Sequence, residues 1–230
     1  MKVFYKILLI IFIITSMFFI WTRFNEEKVK DEKIKEEVVY KKVREDAEEK
    51  NIINEYQKEF NNEDVIGEIT IENADFIVPF AHGDDNNYYL KHLLDKTPNY
   101  LGSLFLDYRN SINDKKIIIY GHNSTYKYTG FNILEKYLKK DYYLNHSNIQ
   151  IRTENDIYNY KIFSVYIAKD DLSHVNLKFN DYSYVNHLRH LKNSSIYNTD
   201  VDVDNEYILV LQTCFNGAED SYVVICAKKI

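Results

Sequence analysis

The hydrophobic period of the chain changes once, near Asp64, and the pattern beyond that point restricts the fold to a β architecture. From Val65 onward, apolar residues either alternate with polar ones or run continuously. These are the patterns of half-buried and fully buried strands. Eight candidate strands can be read there: Val65–Ile71, Ala74–Phe80, Ser103–Asp107, Lys116–Tyr120, Asn148–Thr153, Tyr158–Ala168, Glu206–Thr213 and Tyr222–Lys228. Helical patterns interrupt them at Asn87–Leu94, at Phe131–Lys139 and around Tyr182–Leu191. Strands this numerous, with short helices inserted, predict a mainly β domain over 62–230, closed or nearly closed into a barrel. About 170 residues are enough to bury a sizeable core.

The first sixty residues read differently. Lys2 and Lys6 precede Ile7–Trp21, fifteen residues whose only polar members are Thr15 and Ser16. With Val3–Tyr5 added and Lys6 snorkelling towards the headgroups, the run reaches about nineteen residues, close to the ~20 that span a bilayer. No small-x-small cleavage site comes after it; the chain continues Phe19-Ile20-Trp21-Thr22-Arg23. Residues 1–23 are therefore expected to form an uncleaved transmembrane signal-anchor, with the N-terminus inside and the remainder outside the cell membrane. Residues 24–50 are almost entirely Glu, Asp, Lys and Arg, punctuated by Val29, Ile34, Val38, Val43 and Ala47. Opposite charges three or four apart predict a solvated helical stalk. Residues 51–61 continue as a more amphipathic helix suited to docking on the domain. Net charge is -6 with both signs interspersed, so there is no basic footprint for nucleic acid. The only cysteines, Cys214 and Cys226, make neither a disulfide framework nor a zinc pattern, and no metal or cofactor is expected.

Two strands end in the same informative way. Lys116–Tyr120 stops at Gly121-His122-Asn123, and Tyr207–Leu211 stops at Gln212-Thr213-Cys214. Side chains at strand ends are held by a rigid element yet face solvent at a barrel rim. If the two strands are neighbours, Cys214 and His122 meet, and an imidazole beside a thiol takes its proton and later protonates a leaving amine. A packed strand cysteine and an incidental surface histidine are the plain alternatives, and spacing alone does not choose.

A resemblance does. Asn86-Asn87-Tyr88-Tyr89-Leu90, Gly102–Asn110 with its Asp107-Tyr108-Arg109-Asn110 block, Tyr120-Gly121-His122-Asn123 and Leu211-Gln212-Thr213-Cys214 resemble the class B sortases, in that family's order and spacing. The strand opening Val65-Ile66-Gly67-Glu68-Ile69 and the N-terminal helices extend the resemblance over nearly the whole chain. It implies an eight-stranded sortase barrel. It also implies an enzyme that cleaves a C-terminal sorting signal of secreted proteins, forms a thioester, and passes the acyl group to an amine of a peptidoglycan precursor or cross-bridge. In that scheme Cys214 is the nucleophile and His122 the general acid/base. The loop Lys169–Tyr197, bearing the Tyr182–Leu191 helix, would lie against the signal peptide, and Asn123, Thr213 and Tyr182 are the expected peptide contacts.

The pattern breaks at one position. The family carries an arginine on the strand after the cysteine, which holds the substrate carbonyl or its oxyanion. This chain has no arginine after Cys214, and aligning the Val-Val-Ile run places Tyr222 there. Three readings stand: the Tyr222 hydroxyl donates to the oxyanion, Arg109 or Lys228 reaches in from elsewhere, or the barrel is catalytically silent and only binds peptides. A thiol hydrolase that releases the acyl group to water is a further alternative. Cys226, four residues past Tyr222, is expected to be a packed strand thiol rather than a disulfide partner of Cys214.

Overall fold

The computed structural model describes residues 2–46, 52–124 and 130–230, without the side chains of 2–6, 8, 9 and 46. Two helices lead in: α1 (Lys2–Asp46) and α2 (Ile52–Phe60). Eight strands come next: β1 (Val65–Ile71), β2 (Ile77–Ala81), β3 (Leu104–Leu106), β4 (Lys116–Tyr120), β5 (Asn148–Thr153), β6 (Ile157–Ala168), β7 (Ile208–Cys214) and β8 (Tyr222–Lys229). A 3₁₀ segment (Asn132–Leu138) and α3 (Lys140–Asn145) sit between β4 and β5, and α4 (Asp181–Asn193) sits between β6 and β7. The strands close into a barrel in the order β1-β2-β3-β4-β7-β8-β6-β5. Pairing is antiparallel except at β2–β3 and β4–β7. The eight-strand barrel expected from the sequence is the fold observed.

The continuous apolar runs exist because β4, β7 and β8 are covered on both faces. Ile117, Ile119, Leu209, Leu211, Val223 and Ile225 point into the barrel core. Their neighbours Ile118, Val210, Val224 and Cys226 pack outward beneath Tyr184, Leu188 and Leu191 of α4. A third cluster joins Ile52, Ile53, Tyr56 and Phe60 of α2 to Val65, Tyr89, Leu94 and Phe105, so α2 docks as its amphipathic pattern predicts.

Three local expectations need correction. The helical pattern at Asn87–Leu94 is a series of turns. Its backbone groups are drawn into other pairings: Asp85 accepts from the Asn87 and Tyr88 N–H groups, Leu93 N–H donates to the Thr97 carbonyl, and the Tyr89 carbonyl accepts from Ser103 N–H. The proposed 74–80 strand begins only at Ile77, because the chain turns tightly after Ile71. The charged segment of α1 is not a solvated stalk over its C-terminal half. Lys33, Glu36 and Tyr40 are buried while Val38 is 60% exposed, so the docking face is polar. Lys33 pairs with Glu36 and donates to the Gly102 carbonyl at 2.7 Å. Glu36 in turn accepts from Leu94 N–H at 2.5 Å and from the Ser103 hydroxyl at 3.3 Å. The part of the stalk at 47–51 lies outside the described residues.

Among the described residues, no helix is long and apolar enough to cross a membrane. The apolar run Ile10–Trp21 lies within α1. Its side chains are exposed, Phe12 at 68% and Trp21 at 59%.

Removing one partner of a buried ion pair typically costs ~3–5 kcal/mol. Glu36→Ala is therefore expected to lower the unfolding free energy by about 3 kcal/mol. Glu37→Ala, at a half-buried residue whose ion pair is with Lys41 of the same helix, should cost about 1 kcal/mol or less. Urea denaturation measures both, and equal small losses would contradict docking through Glu36.

Candidate active site

β4 and β7 leave the barrel at the same rim. Tyr120–Gln212 is the last register pair of their parallel ladder, and Gly121 N–H continues it by donating to the Gln212 carbonyl at 3.3 Å. His122 and Cys214 each stand two residues beyond that pair. Both residues therefore leave the barrel at the same rim, from neighbouring strands. Two cross-links hold these ends together: the Thr213 hydroxyl donates to the Gly121 carbonyl at 2.7 Å, and the Asn123 amide donates to the Cys214 carbonyl at 2.8 Å. Gly121 is required here because a Cβ would run into Leu104 and Phe131.

The imidazole is oriented by its backbone surroundings. His122 Nε2 lies 2.8 Å from the Leu90 carbonyl. A carbonyl only accepts, so Nε2 carries a proton, and in the neutral ring the lone pair is then on Nδ1, the tautomer a general base needs. Cys214 is exposed and free at the end of β7. Its thiol is nevertheless pushed above the ordinary cysteine value, because the surrounding chain removes water from one side of it. The resting nucleophile is therefore a thiol at neutral pH, and its proton must be taken during attack.

β8 carries the third expected residue. Tyr222 is the register partner of Cys214 across the antiparallel β7–β8 ladder. Directly opposed residues project to the same face, with Cα atoms about 4.5–5.5 Å apart. Its ring leans on the cluster beneath α4, and its hydroxyl makes no hydrogen bond to any described residue.

The other expected residues separate. Thr213 is buried, with its hydroxyl used on Gly121. The two amide protons of Asn123 go to Glu135 and to the Cys214 carbonyl. Tyr182, in the first turn of α4, is 80% exposed, and no described contact links it to the Cys214–His122 pair. Arg109 holds both oxygens of Asp107 through Nε and Nη2, and Nη2 also donates to the Val175 carbonyl. Lys228 sits far along β8 opposite Ile208, on the Asp202 carbonyl and Glu206. Neither cation reaches the cysteine.

Cys226 is fully buried opposite Val210, and burial pushes its thiol up to about 12. Cys214 is opposite Tyr222, four residues or about 13 Å along the same strand. A disulfide needs Cα atoms within ~7 Å, so the two cysteines are not bridged.

Two histidines have structural roles. His187 Nε2 lies 2.8 Å from Lys116 Nζ, which also donates to the Asn176 carbonyl. Burial brings Lys116 down to about 7 and, with the lysine beside it, His187 to about 3. His174 is buried on the Gln212 side chain at 2.8 Å and is lowered to about 4, mainly by burial. These contacts pin the β6–β7 connection to the barrel beside the site. Sequence reasoning missed Leu90, whose contribution is a backbone carbonyl, and Glu135, which lies in no motif.

The comparisons agree with this fold. Residues 69–229 match the family model described as the Sortase domain. Sortase B of Listeria monocytogenes is 33% identical over 157 residues, 66% of this chain and 63% of that enzyme, so the match spans just under two thirds of the relative. Sortase B of Staphylococcus aureus is 31% identical over 179 residues, 74% of this chain and 71% of the other. Among solved structures, a sortase B complexed with triglycine superposes with a TM-score of 0.77 at 28% identity, covering 87% of this chain and 98% of that one. The S. aureus sortase B–substrate complex gives a TM-score of 0.71 at 28% identity over 87% and 94% of the two chains.

In the native protein one thiol, Cys214, should react with iodoacetamide, and Cys226 should react only after unfolding. Because the thiolate is the reactive form, the Cys214 rate should still be rising above pH ~8.5. Two fast thiols by mass spectrometry, or a rate already level at pH 7, would contradict the geometry.

Proposed function

Because the chain belongs to the sortase family, in its class B, we propose that it is a cysteine transpeptidase acting on the C-terminal sorting signal of secreted proteins. The observation that carries this reading is the placement of His122 and Cys214 two residues beyond the last pair of two parallel core strands, whose ends are cross-linked by Thr213 to Gly121 and by Asn123 to Cys214. His122 Nδ1 takes the thiol proton as Cys214 Sγ attacks the scissile carbonyl. The tetrahedral oxyanion collapses to a thioester, and the imidazolium returns the proton to the departing amine. An amine of a peptidoglycan precursor or cross-bridge then attacks the thioester. His122 accepts the incoming amine's proton and gives it back to the Cys214 sulfur.

The Tyr222 hydroxyl stands in for the family arginine as donor to the oxyanion. Its place opposite Cys214 and its lack of a hydrogen-bond partner among the described residues support this role, and the commitment of Arg109 and Lys228 elsewhere leaves neither of those cations for it. Tyrosine supplies one neutral donor where arginine supplies a fixed charge and a fork. The expected enzyme is therefore slow and dependent on the protonation of His122. A silent barrel is not favoured, since the thiol is free and exposed.

The anchor belongs to the same reading. The exposed run Ile10–Trp21, continued in sequence by Ile7-Leu8-Leu9 and Val3–Tyr5, supports a single-pass membrane segment with the barrel outside the cell.

With a sorting peptide and an amine, the amide product should form, and Cys214→Ala or His122→Ala should abolish it. Tyr222→Phe should lower kcat about 10²-fold, and Tyr222→Arg should match or exceed the parent. Unchanged turnover in Tyr222→Phe removes the hydroxyl from the mechanism. Acid product alone at saturating amine identifies a hydrolase.

A further inference from the structure

Glu135 stands outside every motif, yet both chain ends that carry the reacting groups are bound to one of its oxygens. It projects from the 3₁₀ segment, whose Ile133, Leu134 and Tyr137 are buried in the barrel core. Glu135 Oε1 accepts from the Asn123 amide at 2.7 Å and from Asn216 N–H at 2.8 Å. Asn123 follows His122 directly, and Asn216 lies two residues after Cys214. The second amide proton of Asn123 goes to the Cys214 carbonyl at 2.8 Å. These bonds close a ring: Glu135 to Asn123, Asn123 to Cys214, along the chain to Asn216, and back to Glu135.

The chemistry suits a clamp. A carboxylate only accepts, so it receives two donors without presenting a competing proton. Bonds to an ionised acceptor are roughly twice as strong as neutral ones. Beyond Tyr120–Gln212 the parallel ladder gives out, and His122 and Cys214 both lie past its end. The ring replaces the missing ladder where the reacting atoms need fixed spacing.

The geometry points to Glu135 as a positioning residue for the transpeptidase reaction, acting through Asn123 and Asn216 to hold His122 and Cys214 in register. This rests on the transpeptidase reading. Glu135 touches no reacting atom, so its loss should impair the chemical step and leave peptide affinity alone.

The test compares the full chain with its Glu135→Ala and Glu135→Gln variants. A misplacement of about 1 Å costs up to about 10²-fold in rate. Glu135→Ala should lower kcat about 10- to 100-fold with KM within about twofold of the parent and an unchanged Tm. Glu135→Gln keeps a carbonyl oxygen for the same donors and should restore kcat to within about threefold. Parental kcat in Glu135→Ala, or a Glu135→Gln variant as slow as Glu135→Ala, overturns the proposal. If the parent turns over no peptide, the transpeptidase reading fails on its own. Amide exchange of Asn216, followed by NMR, then decides the clamp. Faster exchange in Glu135→Ala but not in Glu135→Gln supports it, and equal exchange in all three overturns it.

Discussion

Five register pairs, Lys116–Ile208 through Tyr120–Gln212, hold β4 parallel to β7, and everything at the site depends on them. The strands are far apart in sequence, so only this pairing brings His122 to Cys214. Parallel strands need burial on both faces. That explains why the barrel core fills one side and α4, with its connecting loop, covers the other. The covering elements are fastened to β4 and β7 themselves, through Lys116 with His187 and through Gln212 with His174. Covering the ladder and shaping the wall beside the nucleophile are one structural act.

Just past the ladder the chain passes from ordered pairing to chemistry. Burial raises the Cys214 thiol, and the Leu90 carbonyl orients the His122 imidazole. An arginine opposite the cysteine would bring charge to the oxyanion and favour the thiolate. On the proposed reading Tyr222 brings a donor without the charge, so this site relies more on precise placement than on field strength. That gives the small polar contacts their weight: Thr213 to Gly121, Asn123 to Cys214, and Glu135 across both loops. The Leu90 carbonyl belongs to a segment held by Glu36 of α1 through Leu94 N–H, so the leading helix also supports the histidine's surroundings.

Much of this was legible in the residues. The runs at 65–71, 116–120 and 148–153 became strands with the expected ends, because strands buried on one or both faces impose a simple period. The two reactive strand ends were visible as well. The segments that misled are those whose backbone partners are distant. The 87–94 pattern has helical spacing, but its carbonyls are claimed by Ser103, Asn99 and His122. The charged face of α1 looked solvated because much of its burial rests on polar contacts to the 94–103 loop, made by Lys33, Glu36 and the Val29 carbonyl, and no hydrophobic period announces these. Glu135 was invisible for the same reason, since its partners lie on two other loops. Tyr222 was found only as a departure from a family pattern, and its position opposite Cys214 is a matter of register.

The central claim is that Cys214 is acylated by peptide with His122 handling the proton. Intact-mass and fragment analysis of the protein mixed with a sorting peptide, quenched in acid without amine, tests it most directly. The account predicts an adduct of the peptide's N-terminal portion on the Cys214 fragment, removed by hydroxylamine and absent in His122→Ala. A folded protein whose Cys214 alkylates normally, but which carries no adduct from any sorting peptide, would contradict it.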